Sequence, residues 1–432
     1  MARDALNGSG HWYRLRVRRY LIAGLGPVVL AGTHFLLSFA MLRLETPAAF
    51  GTFTFLFVAA QFTVALAMAL FGAPLQTISA PSAQDRAQAG AAILSATGVA
   101  AAFATLCFGL LASAMTLPVP AALCYGGYTG LMILRWVGRA WAYAHDRPAA
   151  PAISDLSYGA LTLLAFGGGA YGLRLQPETA CYGALAIGAA GSLVAFGAPY
   201  LSCLIVPPTR RAWRSYRETW RSQSRWALLG VVGSEAAANT HVYLVTLTAG
   251  AAAMAPLAAA ALLLRPLNVV QNALGEYERP QMAQLVAASA HDELRRTMRL
   301  FFGVLMLAWL GAVVLAVGIL RFAPHLVFPV DYDLGIVSAA AVSWMSVTLL
   351  ILMQVPANIM VQAAGGYRQL ARAVIWSSLV NVGAVAVTLA LFAPVWTIAA
   401  MALGWLVDLA LVQRAARQQW RNMPAGAGAA VP

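Results

Sequence analysis

Charged residues are scarce in this sequence. Of its 432 residues, 10% are Asp, Glu, Lys or Arg and 61% are hydrophobic, whereas a soluble domain has roughly 25% charged and 45–50% apolar residues. A water-soluble fold of this composition would have too little polar surface to present to the solvent. The scarcity of charge therefore excludes a soluble globular protein and indicates a protein embedded in lipid.

Lysine is absent, so all 28 basic side chains are arginines, and only four residues are cysteine. The cysteines fall within apolar runs and none has metal-ligand spacing, which argues against a disulfide framework or a zinc site. The sequence also contains neither a Walker A phosphate loop nor a GxSxG nucleophile elbow. We therefore predict a carrier with no cofactor, no metal ion and no catalytic residue, rather than an enzyme.

What the sequence does contain is a series of long apolar runs. A helix needs about 20 mostly apolar residues to cross a bilayer, and about twelve such runs follow one another. The runs cover residues 20–42, 50–72, 90–115, 119–141, 153–172, 179–205, 226–247, 251–275, 299–320, 336–357, 372–392 and 395–412. We predict an all-α membrane protein with about twelve transmembrane helices.

Arginines are distributed unequally along this map. With a cytoplasmic N-terminus, nearly all of them fall in cytoplasmic segments. Arg43, Arg174 and Arg321 fall on the opposite side, and Arg135 and Arg265 lie within helices. The positive-inside rule predicts this asymmetry for a multi-pass protein of the bacterial inner membrane with both termini in the cytoplasm. Topology then accounts for the net charge of +13, and we predict no nucleic-acid partner.

The longest polar segment, residues 206–225, lies midway along the chain. It carries arginines interleaved with Trp213, Tyr216 and Trp220. This pattern favours an interfacial helix on the anionic lipids of the cytoplasmic leaflet, and the alternative is a solvated linker. In either case the segment is predicted to join two six-helix lobes, residues 1–205 and residues 226–432, the second of which ends in a short cytoplasmic tail.

The two halves also resemble each other weakly. Thr33 and His34 in the first helix lie at a depth similar to that of Thr240 and His241 in the seventh. Repeated halves are typical of transporters.

The seventh helix carries a polar face. Glu235 lies roughly 13 Å into it at 1.5 Å per residue, which is too deep to reach the interface. Asn239 and Thr246 share its face. Because a polar group inside a membrane is a functional candidate, we predict that Glu235 and Asn239 line a cavity or bind a coupling ion. The alternative for Glu235 is a structural partnership with a buried arginine.

Arg265 lies deep in the eighth helix and is followed by Pro266. Proline interrupts the helical hydrogen-bond ladder, and irregular backbone at that depth is tolerated where it lines a cavity. A guanidinium in such a place suits an anion, for example a phosphate. The alternative is an ion pair with Glu235 or Asp408.

Several other polar residues within the predicted helices each have two interpretations. Arg135 either contacts substrate or extends its side chain to the nearby interface, and Asp155 either acts in the site or caps its helix. Asp408 in the last helix is a site candidate or a structural partner. His34 is a hydrogen-bonded packing residue or a proton relay. The uncharged candidates, which we expect to hydrogen-bond between helices, are Gln61, Gln354 and Asn381.

Three stretches carry a family resemblance. The first is LRLETPAAFGTF at residues 42–53, between the first two helices. The second runs from Arg135 to Asp155. The third runs from Arg225 through residues 239–245 to Arg265, Pro266 and Pro280. On these motifs the sequence resembles the polysaccharide-specific transporters, the Wzx-type flippases of the multidrug/oligosaccharidyl-lipid/polysaccharide (MOP) exporter superfamily.

The resemblance implies a MATE-like fold, with two six-helix lobes around a central cationic cavity. It implies a polyprenyl-pyrophosphate-linked oligosaccharide as substrate, with Arg265 and Arg135 holding the pyrophosphate. It also implies a polysaccharide polymerase and glycosyltransferases as partners, while the basic segment at residues 206–225 predicts anionic membrane lipids as further partners. One alternative function is a cation-coupled drug or metabolite exporter that uses Glu235 or Asp408. A membrane glycosyltransferase or polymerase is disfavoured because the outer loops are short.

Overall fold

Helices are the only regular secondary structure in the part of the chain that the computed structural model describes, which is residues 26–77, 83–205, 214, 216–217 and 220–422. The first half contains α1 (Gly26–Leu44), α2 (Pro47–Ala67), α3 (Ala83–Ala114), α4 (Val119–Ala144), α5 (Ala149–Gly167) and α6 (Pro177–Ser192). The second half contains α7 (Arg225–Ala249), α8 (Ala251–Leu262), α9 (Arg265–Ala287), α10 (His291–Phe322), α11 (Leu334–Ala363), α12 (Tyr367–Leu391) and α13 (Thr397–Asn422).

Nine helices of the described residues are long and apolar enough to cross a membrane, and the bent pair α8 and α9 would make ten. The helices α4 and α7 are not among them, although their 26 and 25 residues reach the length of a span. The protein is therefore an all-helical, multi-pass membrane protein. Most of the predicted apolar runs fall on one helix each, but residues 179–205 and residues 251–275 are each divided between two helices, and residues 20–25 of the first run lie outside the described residues. The exact number of spans and the side of the termini stay predictions.

The eighth predicted helix is broken. Instead of one span over residues 251–275, the chain forms α8 and α9, which meet at a 53° bend. Pro266 lies in the first turn of α9, where its missing N–H costs nothing because that group has no helical acceptor. The break thus places Arg265 at the start of a new helix rather than in the interior of a continuous one.

The chain divides into two compact units, whose bounds differ from residues 1–205 and 226–432 both at residues 38–58 and in the segment that runs on to Leu229. The two six-helix lobes stay a prediction. Unit 1 contains the residues up to Leu37 together with Ala59–Leu229, and unit 2 contains Ser38–Val58 together with the residues from Gly230 onward. The tip of the α1–α2 hairpin therefore belongs to unit 2. A close backbone approach explains this, because a Cβ on Gly51 would collide with the carbonyl group of Ala251 in the same unit.

Unit 1 packs its core mainly from α2, α3, α4 and the chain that follows α6. After α6 the chain makes a turn of 3-10 helix, Leu193–Phe196, and a short helix, Ala198–Ile205. Phe196 and Tyr200 lie against Gly138 of α4, where a larger residue would not fit. The Tyr200 hydroxyl also donates to the Leu134 carbonyl oxygen at 2.5 Å, so this buried polar group is satisfied.

A turn of π-helix, Met68–Gly72, follows α2 and leads into the short helix Ala73–Thr77. The Leu70 carbonyl oxygen in this turn accepts hydrogen bonds from the Tyr216 hydroxyl at 3.3 Å and the Ser224 hydroxyl at 3.0 Å. The Tyr216 ring also stacks on Phe71 at 5.6 Å. Burial raises the pKa of Tyr216 to about 12, which adds to the preference for the protonated, hydrogen-donating form that a tyrosine already has at neutral pH.

These contacts bear on the predicted interfacial helix at residues 206–225, most of which lies outside the described residues. Its described part includes the π-helical turn Trp220–Ser224. Tyr216 and Ser224 hold this part against the turn that follows α2, in agreement with its place in unit 1.

Unit 2 packs α9 to α13 around a second core. Leu305 of α10, Val361 of α11 and Val412 of α13 are buried there. The helices α12 and α13 approach closely at Gly404, where a Cβ would meet Asn381. This core includes Leu267 in the first turn of α9, beside the candidate site residue Arg265.

Candidate functional site

A small cavity in unit 2 contains the strongest site candidate, Arg265. The cavity has a volume of about 130 Å³, which is well below the roughly 300–1,000 Å³ of a pocket for a drug-sized ligand. It therefore suits a headgroup or a bound fragment rather than a whole glycolipid. The residues that line it are Ser38, Phe50, Phe53, Thr54, Phe57, Val58, Asn239, His241, Val242, Met254, Ala258, Ala261, Leu262, Arg265 and Trp344.

Arg265 is placed in the cavity wall by the break between α8 and α9. Its Nη1 donates to the Ser38 hydroxyl at 2.7 Å, and its guanidinium carbon lies 5.8 Å from the centre of the Phe57 ring. A cation over an aromatic face is attracted by the negative face of the ring, most strongly where water is excluded. The first two helices thus orient this guanidinium, which brings a positive charge to the cavity wall.

His241 and Trp344 form a second part of the lining. His241 is 2% exposed, and its ring meets Trp344 edge to face at 5.2 Å. The Trp344 indole nitrogen donates to the Leu257 carbonyl oxygen at 3.1 Å, which fixes the indole. Among the described residues, His241 Nδ1 has no hydrogen-bond partner. A buried polar atom of this kind is costly unless a ligand or water satisfies it.

The predicted polar face of α7 divides between two environments. Asn239 lines the Arg265 cavity, but Glu235 is not among the lining residues. Glu235 instead accepts a hydrogen bond from the Tyr243 hydroxyl two turns along the same helix. The ring of Tyr243 in turn meets Phe55 edge to face at 5.9 Å.

Arg135 in unit 1 has a different environment from Arg265. The side chains of Arg135 and Arg139 on α4 both form ion pairs with Asp155 on α5, and Arg135 is completely buried. The Arg135 guanidinium also lies over the Tyr158 ring at 4.6 Å. Arg135 therefore does not extend to the interface, and Asp155 does not cap its helix, because it lies well inside α5. The predicted interfacial position of Arg135 and the predicted helix cap at Asp155 are therefore both wrong.

His34 and Gln61 border this buried group. His34 Nε2 lies 2.9 Å from the Tyr158 hydroxyl, so the histidine is hydrogen-bonded within unit 1. The Tyr128 hydroxyl interacts with Tyr158 and Gln61, although neither it nor Gln61 Nε2 has a hydrogen bond of full geometry among the described residues. The ion pairs, His34 and these amide and phenol groups make up a buried polar cluster around Asp155.

Asp408 and Asn381 lie elsewhere in unit 2. Asn381 on α12 donates to the carbonyl oxygens of Ala236, at 3.3 Å, and Ala237 on α7, which matches the interhelical bonding expected of it. Asp408 on α13 is 4% exposed and interacts with Gln354 and Ser377. Neither Asp408 nor Asn381 lines the Arg265 cavity.

The predicted site residues are thus separated into distinct groups. Arg265 and Asn239 share the cavity in unit 2. His34, Gln61 and Arg135 lie in unit 1, and Glu235, Asp408 and Asn381 have their own partners in unit 2. Sequence reasoning missed Trp344 and Phe57 as site residues, because an aromatic residue on an apolar helix looks like ordinary packing. His241 had a signal, since it matches His34 in the repeated halves.

The fold resembles that of several solved transporters. A multidrug-resistance MATE family transporter of the MOP superfamily, in an inward-facing conformation, matches with a TM-score of 0.60 and 14% identity over 94% of this chain and 96% of that chain. A MATE structure in the straight conformation matches with a TM-score of 0.61 and 13% identity over 94% of this chain and 96% of that chain.

A third similar structure differs in its binding pocket. It is a MOP superfamily transporter from Pyrococcus furiosus, for which reverse polarity of the binding pocket suggests a different function. It matches with a TM-score of 0.59 and 14% identity over 94% of this chain and 93% of that chain. No family model and no curated protein sequence matches the chain. The likenesses show that the chain has the fold of MOP superfamily transporters.

Proposed function

We propose that this protein is a translocase that flips a polyprenyl-pyrophosphate-linked oligosaccharide across the bacterial inner membrane by alternating access, for surface or exopolysaccharide synthesis. The observation that carries the proposal is the cavity lined by Arg265. It brings a guanidinium to a mostly apolar and aromatic wall that also carries a few neutral polar side chains, inside a chain that has the fold of transporters.

The chemistry of the cavity suits a phosphate group. A guanidinium presents its N–H donors in a planar fork that matches two phosphate oxygens at once. Arg265 is held by the Ser38 hydroxyl and the Phe57 ring, so little side-chain freedom would be lost on binding. Asn239 and His241 add neutral polar groups to the same wall, and these could accept or donate hydrogen bonds to the substrate.

The volume of the cavity limits which part of the substrate it holds. About 130 Å³ accommodates a phosphate-sized group and not a sugar repeat unit. The proposal therefore assigns the cavity to the pyrophosphate, while the polyprenyl tail stays in the bilayer. Glycosyltransferases and a polymerase would be the partners that supply and consume such a substrate.

A cation-coupled drug or metabolite exporter is the second candidate. The likeness to multidrug-resistance MATE transporters favours it, as does the carboxylate of Glu235 within a predicted span. When the coupling ion binds to Glu235, the hydrogen bond from the Tyr243 hydroxyl would then either break or persist beside the ion. The similar structure with reversed pocket polarity supports a role for pocket charge in distinguishing functions within this fold.

The test is complementation in a strain that lacks this gene and any second flippase. The wild-type gene should restore export of lipid-linked repeat units, and Arg265→Ala should leave them on the cytoplasmic leaflet at normal protein abundance. Arg321→Ala, which removes an exposed arginine of the same unit, is the matched control and should export normally. Unchanged surface polysaccharide in the deletion strain, together with altered drug sensitivity, would favour the exporter instead.

A further inference from the structure

A second and larger cavity lies in unit 2, apart from the residues around Arg265. It has a volume of about 680 Å³ and lies where α10, α11 and α13 meet. The lining residues are His291, Arg295, Met298, Arg299, Phe302, Met353, Pro356, Ala357, Gln413, Ala416, Arg417, Trp420 and Arg421. The proposed translocation mechanism uses none of them.

Four arginines form the rim of this cavity. Arg295 and Arg299 lie one turn apart near the start of α10, and Arg417 and Arg421 lie one turn apart near the end of α13. Residues four apart on a helix share a face, so each helix directs a pair of guanidiniums toward the cavity. Asp292 and Glu293 precede them on α10, but neither lines the cavity.

An aromatic side chain holds part of this rim in place. The Arg295 guanidinium lies over the Trp420 ring at 5.7 Å, and the His291 ring lies 5.9 Å from Trp420 at a tilt. Tryptophan is enriched at the boundary between the hydrocarbon core and the headgroups of a bilayer. Trp420 is therefore the kind of residue expected beside a lipid headgroup.

The floor of the cavity is apolar. Met298 and Phe302 of α10 and Met353 and Pro356 of α11 line it below the arginines. A cationic rim above an apolar floor matches an amphipathic ligand, with a phosphate at the rim and hydrocarbon against the floor. Basic pockets between transmembrane helices at the cytoplasmic face are known to hold anionic lipid headgroups. The excess of arginine at this end of unit 2 agrees with that face under the positive-inside rule.

We propose that this cavity is a binding site for a phosphate-bearing ligand, the headgroup of an anionic membrane phospholipid. The four arginines bind the phosphate, and the apolar floor receives the upper part of an acyl chain. The site is independent of the Arg265 cavity. The proposal holds whether the transported substrate is a lipid-linked sugar or a drug.

The experiment uses the purified full-length chain and a matched pair of double variants. Arg295→Gln with Arg417→Gln removes one guanidinium from each side of the rim. Arg296→Gln with Arg414→Gln removes two exposed arginines from the same helices at positions outside the lining, so both variants lose the same net charge. Retention of phosphatidylglycerol and phosphatidylcholine is measured by native mass spectrometry, and the melting temperature is measured with each lipid and with inorganic phosphate.

The wild type and the Arg296/Arg414 variant should retain phosphatidylglycerol in preference to phosphatidylcholine. The Arg295/Arg417 variant should bind phosphatidylglycerol about thirtyfold more weakly, because each arginine near an anionic surface contributes attraction. Its melting temperature without added lipid should lie close to that of the control, since all four arginines are exposed and the contact of Arg295 with Trp420 is a weak surface interaction. Arg295→Lys with Arg417→Lys should recover most of the binding, because the charge remains.

Two results would overturn the lipid site. Equal retention of phosphatidylglycerol by both double variants would show that the rim does not bind it. Stabilisation by inorganic phosphate that depends on Arg295 and Arg417, without any preference for the anionic lipid, would assign the cavity to a soluble phosphate instead.

Discussion

Two arginines within the predicted helices look alike in the sequence and differ in the structure. Arg135 of unit 1 is completely buried and forms an ion pair with Asp155, which also binds Arg139. Arg265 of unit 2 begins a helix after a break and lines a cavity, held by a hydroxyl and an aromatic ring. The first arginine is part of the packing of its unit, and the second presents its charge to a space that a ligand can enter.

The difference shows that depth alone does not identify a functional charge. Removing one member of a buried ion pair leaves the other charge without compensation inside the protein, so its effect falls on stability. Removing a charge from a cavity wall instead lowers the affinity for the ligand. Substitutions at Asp155, Arg135 and Arg265 should therefore separate an effect on stability from an effect on binding.

Asp155→Asn should cause the largest loss. It leaves Arg135 and Arg139 buried without their carboxylate, and breaking a buried pair costs about 3–5 kcal/mol. We expect a fall in membrane abundance and in the melting temperature of the purified protein. Asp146→Asn is the control, because Asp146 is exposed in the same unit and asparagine tolerates its positive φ of 55°. A melting temperature equal to that of the control would contradict a structural role for Asp155.

Arg265→Gln should lower substrate affinity about ten- to one hundredfold, as expected for a hydrogen bond to a charged group, and should leave abundance unchanged. Arg135→Gln should do the reverse and reduce abundance. Membrane abundance measured beside translocation of the lipid-linked substrate distinguishes the two. If Arg265→Gln reduced abundance as strongly as Arg135→Gln, the contrast between the two arginines would be lost.

Tyr158→Phe should have a modest effect on stability. It removes the hydroxyl that bonds to His34 and keeps the ring over Arg135, and a typical hydrogen bond contributes about 0.5–1.5 kcal/mol. Denaturation of the purified protein measures the difference, and His34→Gln should show a similar loss. The double variant should then lose less than the sum of the two single losses, whereas additive losses would show that the pair is not coupled.

Glu235→Gln should have the smallest effect under the proposed function. The amide oxygen can still accept the hydrogen bond of Tyr243, so we expect translocation close to the wild-type rate. A cation-coupled exporter would instead lose its dependence on the ion gradient when this carboxylate is removed. Transport measured with and without the gradient therefore decides between the two candidates.

Much of the fold could be predicted from the sequence, because the bilayer imposes a simple length rule on apolar runs. Pro266 indicated an irregular backbone near Arg265, but the division into two helices could not be predicted from proline alone, because Pro256, Pro280 and Pro356 lie inside continuous helices. The assignment of residues 38–58 to unit 2 could not be predicted from the sequence. It depends on the approach of Gly51 to the backbone of Ala251, and the two lie two hundred residues apart in the chain.

The site was less predictable than the fold. The pairing of Asp155 with Arg135 and Arg139 depends on the relative rotation of α4 and α5, which the apolar pattern does not specify. The Arg265 cavity draws residues from α1, α2, α7, α8, α9 and α11. The sequence could indicate that Arg265 is unusual, but it could not indicate that Phe57 and Trp344 are its neighbours.

The attachment of Tyr216 and Ser224 to the Leu70 carbonyl has a consequence for the continuity of the polypeptide. These two hydroxyls donate hydrogen bonds to the Leu70 carbonyl oxygen. Their link to the first half of the chain therefore does not depend only on the backbone that precedes them. A gene divided within residues 206–213 would produce two fragments, and the second fragment would still carry its docking contacts for the first. The protein should therefore tolerate expression as two co-folding fragments.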